Sequence, residues 1–185
     1  MIFEICVDSV SGVRAARRAG AQRVELCADL LEGGITPSLG MIRQARAVGG
    51  IGLHVMIRPR GGDFLFDPDE FAIMRADVEL AKREGADGVV IGLLKPGGAI
   101  DAERTGELSA LARPMAVTFH RAFDMTPDPI QALETLIGLG IEYATVDEAY
   151  GRGTVWTARL PRITSPEPDP SPTPSETAPP QTGCG

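Results

Sequence analysis

Three segments of this sequence share one grammar. Ala19-Gly20-Ala21-Gln22-Arg23-Val24-Glu25-Leu26, Glu84-Gly85-Ala86-Asp87-Gly88-Val89-Val90-Ile91 and Leu139-Gly140-Ile141-Glu142-Tyr143-Ala144-Thr145-Val146 each pass from a helix end through glycine into a short apolar run. Serial βα units of this kind give parallel strands, which either close into a (βα) barrel or spread as a doubly wound sheet. Strands are expected at Ile2–Val7, Arg23–Cys27, Gly52–Ile57, Gly88–Leu93 and Met115–His120, with a sixth starting at Ile141. Helix starts are marked by Ser9 or Ser11, Ser38, Asp101, and Thr126 or Asp128. Asp67-Pro68 with Glu70 reads as a capping box with proline at the first helical position, and Gly85 as that helix's left-handed stop.

The grammar holds over residues 1–146 and then fails. Eight of the 15 prolines fall between Pro161 and Gly185, where large apolar side chains are almost absent. Such a segment cannot bury enough surface to offset its ordering entropy, so 147–185 reads as a divergent, disordered, proline-rich tail. Asp147–Leu160 has no clear assignment, and Trp156 within it reads as a local packing residue. An eight-stranded barrel needs about 250 residues. Six strands therefore imply an incomplete barrel with open edges beside the first and sixth. An altered reading frame or truncated product, even a non-functional fragment, fits the change in composition.

Charge and cysteine content narrow the function. The net charge is −7, and the 16 arginines are scattered, which argues against a nucleic-acid or anionic-membrane partner. The first residues carry acids and no basic leader, and the longest apolar run, GVVIGLL, is too short to span a bilayer. A cytoplasmic location is the expectation, where three cysteines stay reduced and suggest metal or reactive thiol over a disulfide framework.

Strand alternation sorts the side chains. Phe3, Ile5 and Val7 oppose Glu4, Cys6 and Asp8; Val24, Leu26 and Ala28 oppose Arg23, Glu25 and Cys27. Leu53, Val55 and Ile57 oppose His54, Met56 and Arg58, while Val117 and Phe119 oppose Thr118 and His120. One face is suited to helices. The other collects thiols, acids, both histidines, a thioether and arginine, and in a barrel that face is the lumen. It reads either as a site or as a polar core pairing its own charges, Glu25 with Arg58 for example.

Glu4-Ile5-Cys6-Val7-Asp8 and Glu25-Leu26-Cys27-Ala28-Asp29 repeat Glu-x-Cys-x-Asp 21 residues apart. Consecutive strands commonly neighbour each other, so Cys6 and Cys27 could share one soft cation, Cu(I) or zinc, with Met56 adding a thioether and His54 or His120 an imidazole. His120 ends a strand and could act as general acid or base oriented by Asp124 or Glu25. It could equally be a core histidine, the reading favoured for His54. Arg58 and Arg60, beside Gly61-Gly62, suit an anionic phosphate or carboxylate ligand, or else they neutralise Glu4, Glu25 and Asp8.

The runs EICVDS, RVELCADLLEGGITPSLGMI, VMIRPRGGDF, GADGVVIGLL and VTFHRAFDM, in that order over about residues 1–142, closely resemble the copper-homeostasis CutC family. The resemblance implies a cytoplasmic TIM-like barrel, usually oligomeric, linked to copper tolerance. It implies Cys6 and Cys27 as Cu(I) ligands, and Glu25, Arg58, Arg60, His120 and Asp124 as a polar pocket at the barrel mouth. Family members continue into further βα units, where this chain has DEAYGRG and the proline-rich tail. Two functions remain: copper handling at the thiols, or a barrel enzyme acting on an anionic metabolite.

Overall fold

The computed structural model describes residues 2–147 and 155–161. Strands β1 (Glu4–Val7), β2 (Arg23–Leu26), β3 (Gly52–Met56), β4 (Gly88–Ile91), β5 (Ala116–Phe119) and β6 (Tyr143–Asp147) lie side by side in chain order, all parallel. Helices α1 (Val10–Arg18), α2 (Leu39–Val48), α3 (Pro68–Arg83), α4 (Ala102–Ala112) and α5 (Pro129–Gly138) make the crossovers. The sheet curls into a half-barrel. The expected βα series is therefore present.

Its helix starts are set by the expected side chains. Ser9 accepts from the Gly12 N–H, Ser38 from Met41, and Asp128 from Ile130 and Gln131. Asp67 and Glu70 form the reciprocal capping box around α3, with Pro68 at its first turn. Gly85 closes α3 at φ +78°, a conformation costly for residues with a Cβ.

The structure adds a strand that the sequence reading left out. β7 (Val155–Arg159) runs antiparallel to β6, with Tyr143 opposite Arg159 and Thr145 opposite Thr157. The sixth strand's edge is thus covered, because Val-Trp-Thr supplies three strong β-formers in a row. Among the described strands, β1 keeps an edge without a partner. The expected disorder of the tail falls mostly on residues 148–154 and 162–185, which lie outside the described residues, as does the Trp156 side chain.

One core fills the space between sheet and helices. Val24, Leu26, Leu53, Val55, Val89, Ile91, Val117 and Phe119 on the strands meet Val13, Ile42, Met74, Val78, Leu108 and Leu136 on the helices, all buried. β1 departs from the expected pattern. Val7 is buried, but Phe3 and Ile5 are 61% and 39% exposed, since among the described strands β1 has a neighbour on one side alone. No helix among the described residues is long and apolar enough to cross a membrane.

Candidate functional site

The polar strand positions meet on the concave face of the half-barrel, as alternation requires. They line a cavity of about 820 Å³ whose wall includes Glu4, Cys6, Arg23, Glu25, Met56, Arg58, His120 and Arg121. Apolar Ile2, Phe3, Leu30 and Phe64 complete much of the wall, and Thr145, Thr157 and Arg159 bring β6 and β7 to it.

The two thiols are together, though not as direct cross-strand partners. Cys6 lies opposite Glu25, so Cys27 is two residues further along its own strand direction. A step of two keeps the face, and the side chains lean across the diagonal until the sulfurs are 3.6 Å apart. Cys6 is exposed at the cavity, whereas Cys27 lies behind it, fully buried and packed with Met56 and Val90. Cys6 Sγ is also 3.5 Å from Glu25 Oε1. Its hydrogen bond with Cys27, partial desolvation of the sulfur and the Glu25 charge all push the Cys6 thiol up, so it is held protonated. Burial, with Glu4 nearby, raises Glu25 to about 7.

Charges on this face do pair, but in other combinations than expected. Glu4 is bridged by Arg23, whose guanidinium stacks 4.3 Å above the Tyr143 ring. Glu25 and Arg58 do not pair. Instead Arg58, 1% exposed, donates to the carbonyls of Glu32, Gly34 and Gly62 at 2.8, 3.0 and 2.7 Å. Arg58 thereby ties the loop after β2 to the loop after β3. Arg60 lies outside the cavity wall: Glu70 and Asp63 hold it over the Phe66 ring. Asp124 lines a second cavity, of about 460 Å³, with Lys95 and Arg121. It does not orient the imidazole of His120, whose Nδ1 accepts from the Ala122 N–H at 3.2 Å.

Both histidines depend on glycines in β4's strand direction. A Cβ at Gly88 would come within 2.7 Å of the His54 ring, and one at Gly92 within 2.1 Å of His120. The imidazoles occupy the space that side chains of β4 would fill. Burial chiefly, with Arg23 nearby, depresses His54 to about 4; burial, Arg58 and Arg121 depress His120 to about 3. Both are neutral at physiological pH.

A pH dependence follows. The unfolded chain protonates each histidine near its ordinary value of about 6.5, while the folded chain resists. Stability from the histidines is therefore present above 6.5 and is lost as pH falls, through about 4 for His54 and about 3 for His120. Glu25 acts oppositely: its raised value favours the folded state as pH falls from about 7 towards 4.5. With two histidines against one carboxyl, a net loss should begin below pH 6.5 and steepen below 4.5, where Glu25 no longer offsets it, and His54→Gln should flatten it in urea titrations across pH.

Among the described residues, no group of three or more His, Cys, Asp or Glu side chains is placed to hold a metal ion. The metal-competent donors are thus the two sulfurs, with the Met56 thioether packed against Cys27. Two thiolates and a thioether suit a soft ion rather than an oxygen-seeking one.

Arg121, Gly88 and Gly92 were not picked out as functional from the sequence. The glycines had a readable signal: residues 88, 90 and 92 share the lumen parity, and two of them lack a side chain.

The CutC family model matches residues 1–149. A copper homeostasis protein cutC homolog from Mus musculus is 55% identical over 141 residues, 76% of this chain and 52% of that protein. A family protein CutC from Mesorhizobium japonicum is 55% identical over 136 residues, 74% of this chain and 53% of its own length. A crystal structure of a CutC protein from Streptococcus agalactiae superposes with TM-score 0.74 at 35% identity, covering 78% of this chain and 71% of that one. The chain spans about half the length of the curated relatives it matches.

Proposed function

The chain belongs to the CutC family, and from that premise we propose that it binds and handles Cu(I) through Cys6 and Cys27, in the reducing cytoplasm. The observation that carries this reading is the pair of free thiols 3.6 Å apart at one cavity wall. Cys6 faces the cavity and would meet the ion first, while Cys27 and the Met56 thioether form a sulfur-rich floor behind it. Thiolates are the binding species, so uptake displaces the proton that the raised Cys6 thiol holds, and affinity decreases as pH is lowered.

The test is a competitive Cu(I) titration under reducing, anaerobic conditions. One ion per chain is expected. Loss of a supporting group around a metal ligand costs roughly 10- to 100-fold in affinity, and Cys6→Ser or Cys27→Ser removes a ligand outright, so each should exceed that. Met56→Leu should have a smaller effect. Parent-like affinity in both cysteine variants would overturn the reading.

A further inference from the structure

We propose that the same cavity contains a subsite for a small oxyanion, a phosphate or carboxylate group carried on an apolar body, formed by Arg58, His120 and Arg121. His120 is 4% exposed, and its Nδ1 is used as an acceptor for the Ala122 N–H. In the neutral imidazole the proton then sits on Nε2, a donor. That Nε2 has no hydrogen-bond partner among the described residues, and neither does the buried Arg58 Nε. A buried donor left without an acceptor is costly, so two of them in one cavity wall point to a ligand that accepts.

Arg121 completes the set. Its guanidinium lies across the loop after β2, so close that a Cβ at Gly33 would be 2.3 Å from Nη2. Gly33 has φ +81° and itself lines the cavity. No acid among the described residues makes an ion pair with Arg121, and its charge acts on both Arg58 and His120. Of the two acids that Arg58 feels, Asp63 is engaged by Arg60, and Glu32 attracts Arg58 without a side-chain ion pair among the described residues. Arg58 Nε, the Arg121 guanidinium and a neutral N–H donor therefore converge, while the Arg58 Nη atoms are engaged by the carbonyls of Glu32, Gly34 and Gly62. A planar guanidinium with spare donors matches the oxygens of phosphate or carboxylate bidentately.

The cavity, about 820 Å³, is far larger than a bare ion and is lined by Phe3, Leu30, Met56 and Phe64 beyond the donors. The ligand therefore has an apolar portion beside its charged group. The chain's net charge of −7 gives no general attraction for anions, so binding has to come from this local arrangement. The subsite does not rest on the copper reading, since none of its three residues supplies sulfur.

The experiment is calorimetry and thermal-shift titration of the full chain with phenyl phosphate, benzoate and inorganic phosphate. Saturable binding of phenyl phosphate or benzoate is expected, with inorganic phosphate weaker. The order of the two aromatic anions tells phosphate from carboxylate. Arg121→Ala should weaken binding roughly tenfold or more, and Arg121→Lys should recover part of it. Arg121 is exposed, so the ligand-free melt of Arg121→Ala should match the parent. Arg43→Ala removes a positive charge paired with Glu84 outside the cavity and should leave binding unchanged. Absence of saturation with all three anions, or equal affinity in parent and Arg121→Ala, would overturn the subsite whatever the Cu(I) titration gives.

Discussion

Arg58→Ala is expected to lower the free energy of unfolding by roughly 3–5 kcal/mol, the largest effect of any single change to the cavity wall. The side chain is 1% exposed and its guanidinium satisfies three carbonyls, those of Glu32, Gly34 and Gly62. The Arg58 backbone adds a reciprocal tie, its N–H donating to Thr36 Oγ1 and its carbonyl accepting from the Thr36 N–H. Truncation leaves three acceptors without a donor and opens a void under the Phe64 ring, which the guanidinium contacts at 4.9 Å. Arg58→Lys should recover less than half of the loss, because one ammonium cannot span carbonyls from two loops. Urea denaturation of the three proteins decides it. A loss below about 1 kcal/mol, within reach of an ordinary surface substitution, would mean that the loops hold themselves together.

Gly92→Ala is the second large effect. The new methyl would sit 2.1 Å from Cε1 and 2.3 Å from Nδ1 of His120, and the ring has little room to retreat. The Phe64 and Phe119 rings lie tilted beside it, with centroids 5.0 and 6.0 Å away. Overpacking of a filled interior typically costs 1–3 kcal/mol, and a clash with a buried ring that has aromatic neighbours belongs near the top of that range, about 3 kcal/mol. The diagnostic is a double-mutant cycle: Gly92→Ala in a His120→Ala background should cost almost nothing, because the obstructing ring is gone. Additive losses would show that Gly92 matters for the backbone and not for the imidazole.

Strand and helix positions were legible because they depend on local rules. Alternation put Glu4, Cys6, Glu25, His54, Met56, Arg58 and His120 on one face, and all line or border the concave side. The capping box at Asp67 and Glu70 was readable from three residues. What escaped depends on backbone groups or on stagger. The sequence cannot show that Cys27 sits diagonally from Cys6, since that offset is fixed by how the strands slide when the sheet curls. Nor can it show that Arg58 chooses carbonyls over Glu25, because carbonyls carry no letter. Arg60 looked like Arg58's twin, yet Glu70, already committed to the α3 cap, draws it away from the cavity. β7 was missed because five residues beside a proline-rich stretch give too short a pattern to read.

The unpartnered edge of β1 makes the two sulfurs unequal in a kinetic sense. Cys27 is fully buried beside Met56. Cys6 rides on a four-residue strand that, among the described strands, is hydrogen-bonded on one side only and is bordered by the exposed Phe3 and Ile5. Edge segments with few buried contacts open at far lower free energy than the interior of a sheet. An ion held by both thiols would escape by the peeling of β1, carrying Cys6 away while Cys27 stays put. The lifetime of a bound ion would then be governed by the backbone of one edge strand as much as by the strength of its bonds to sulfur.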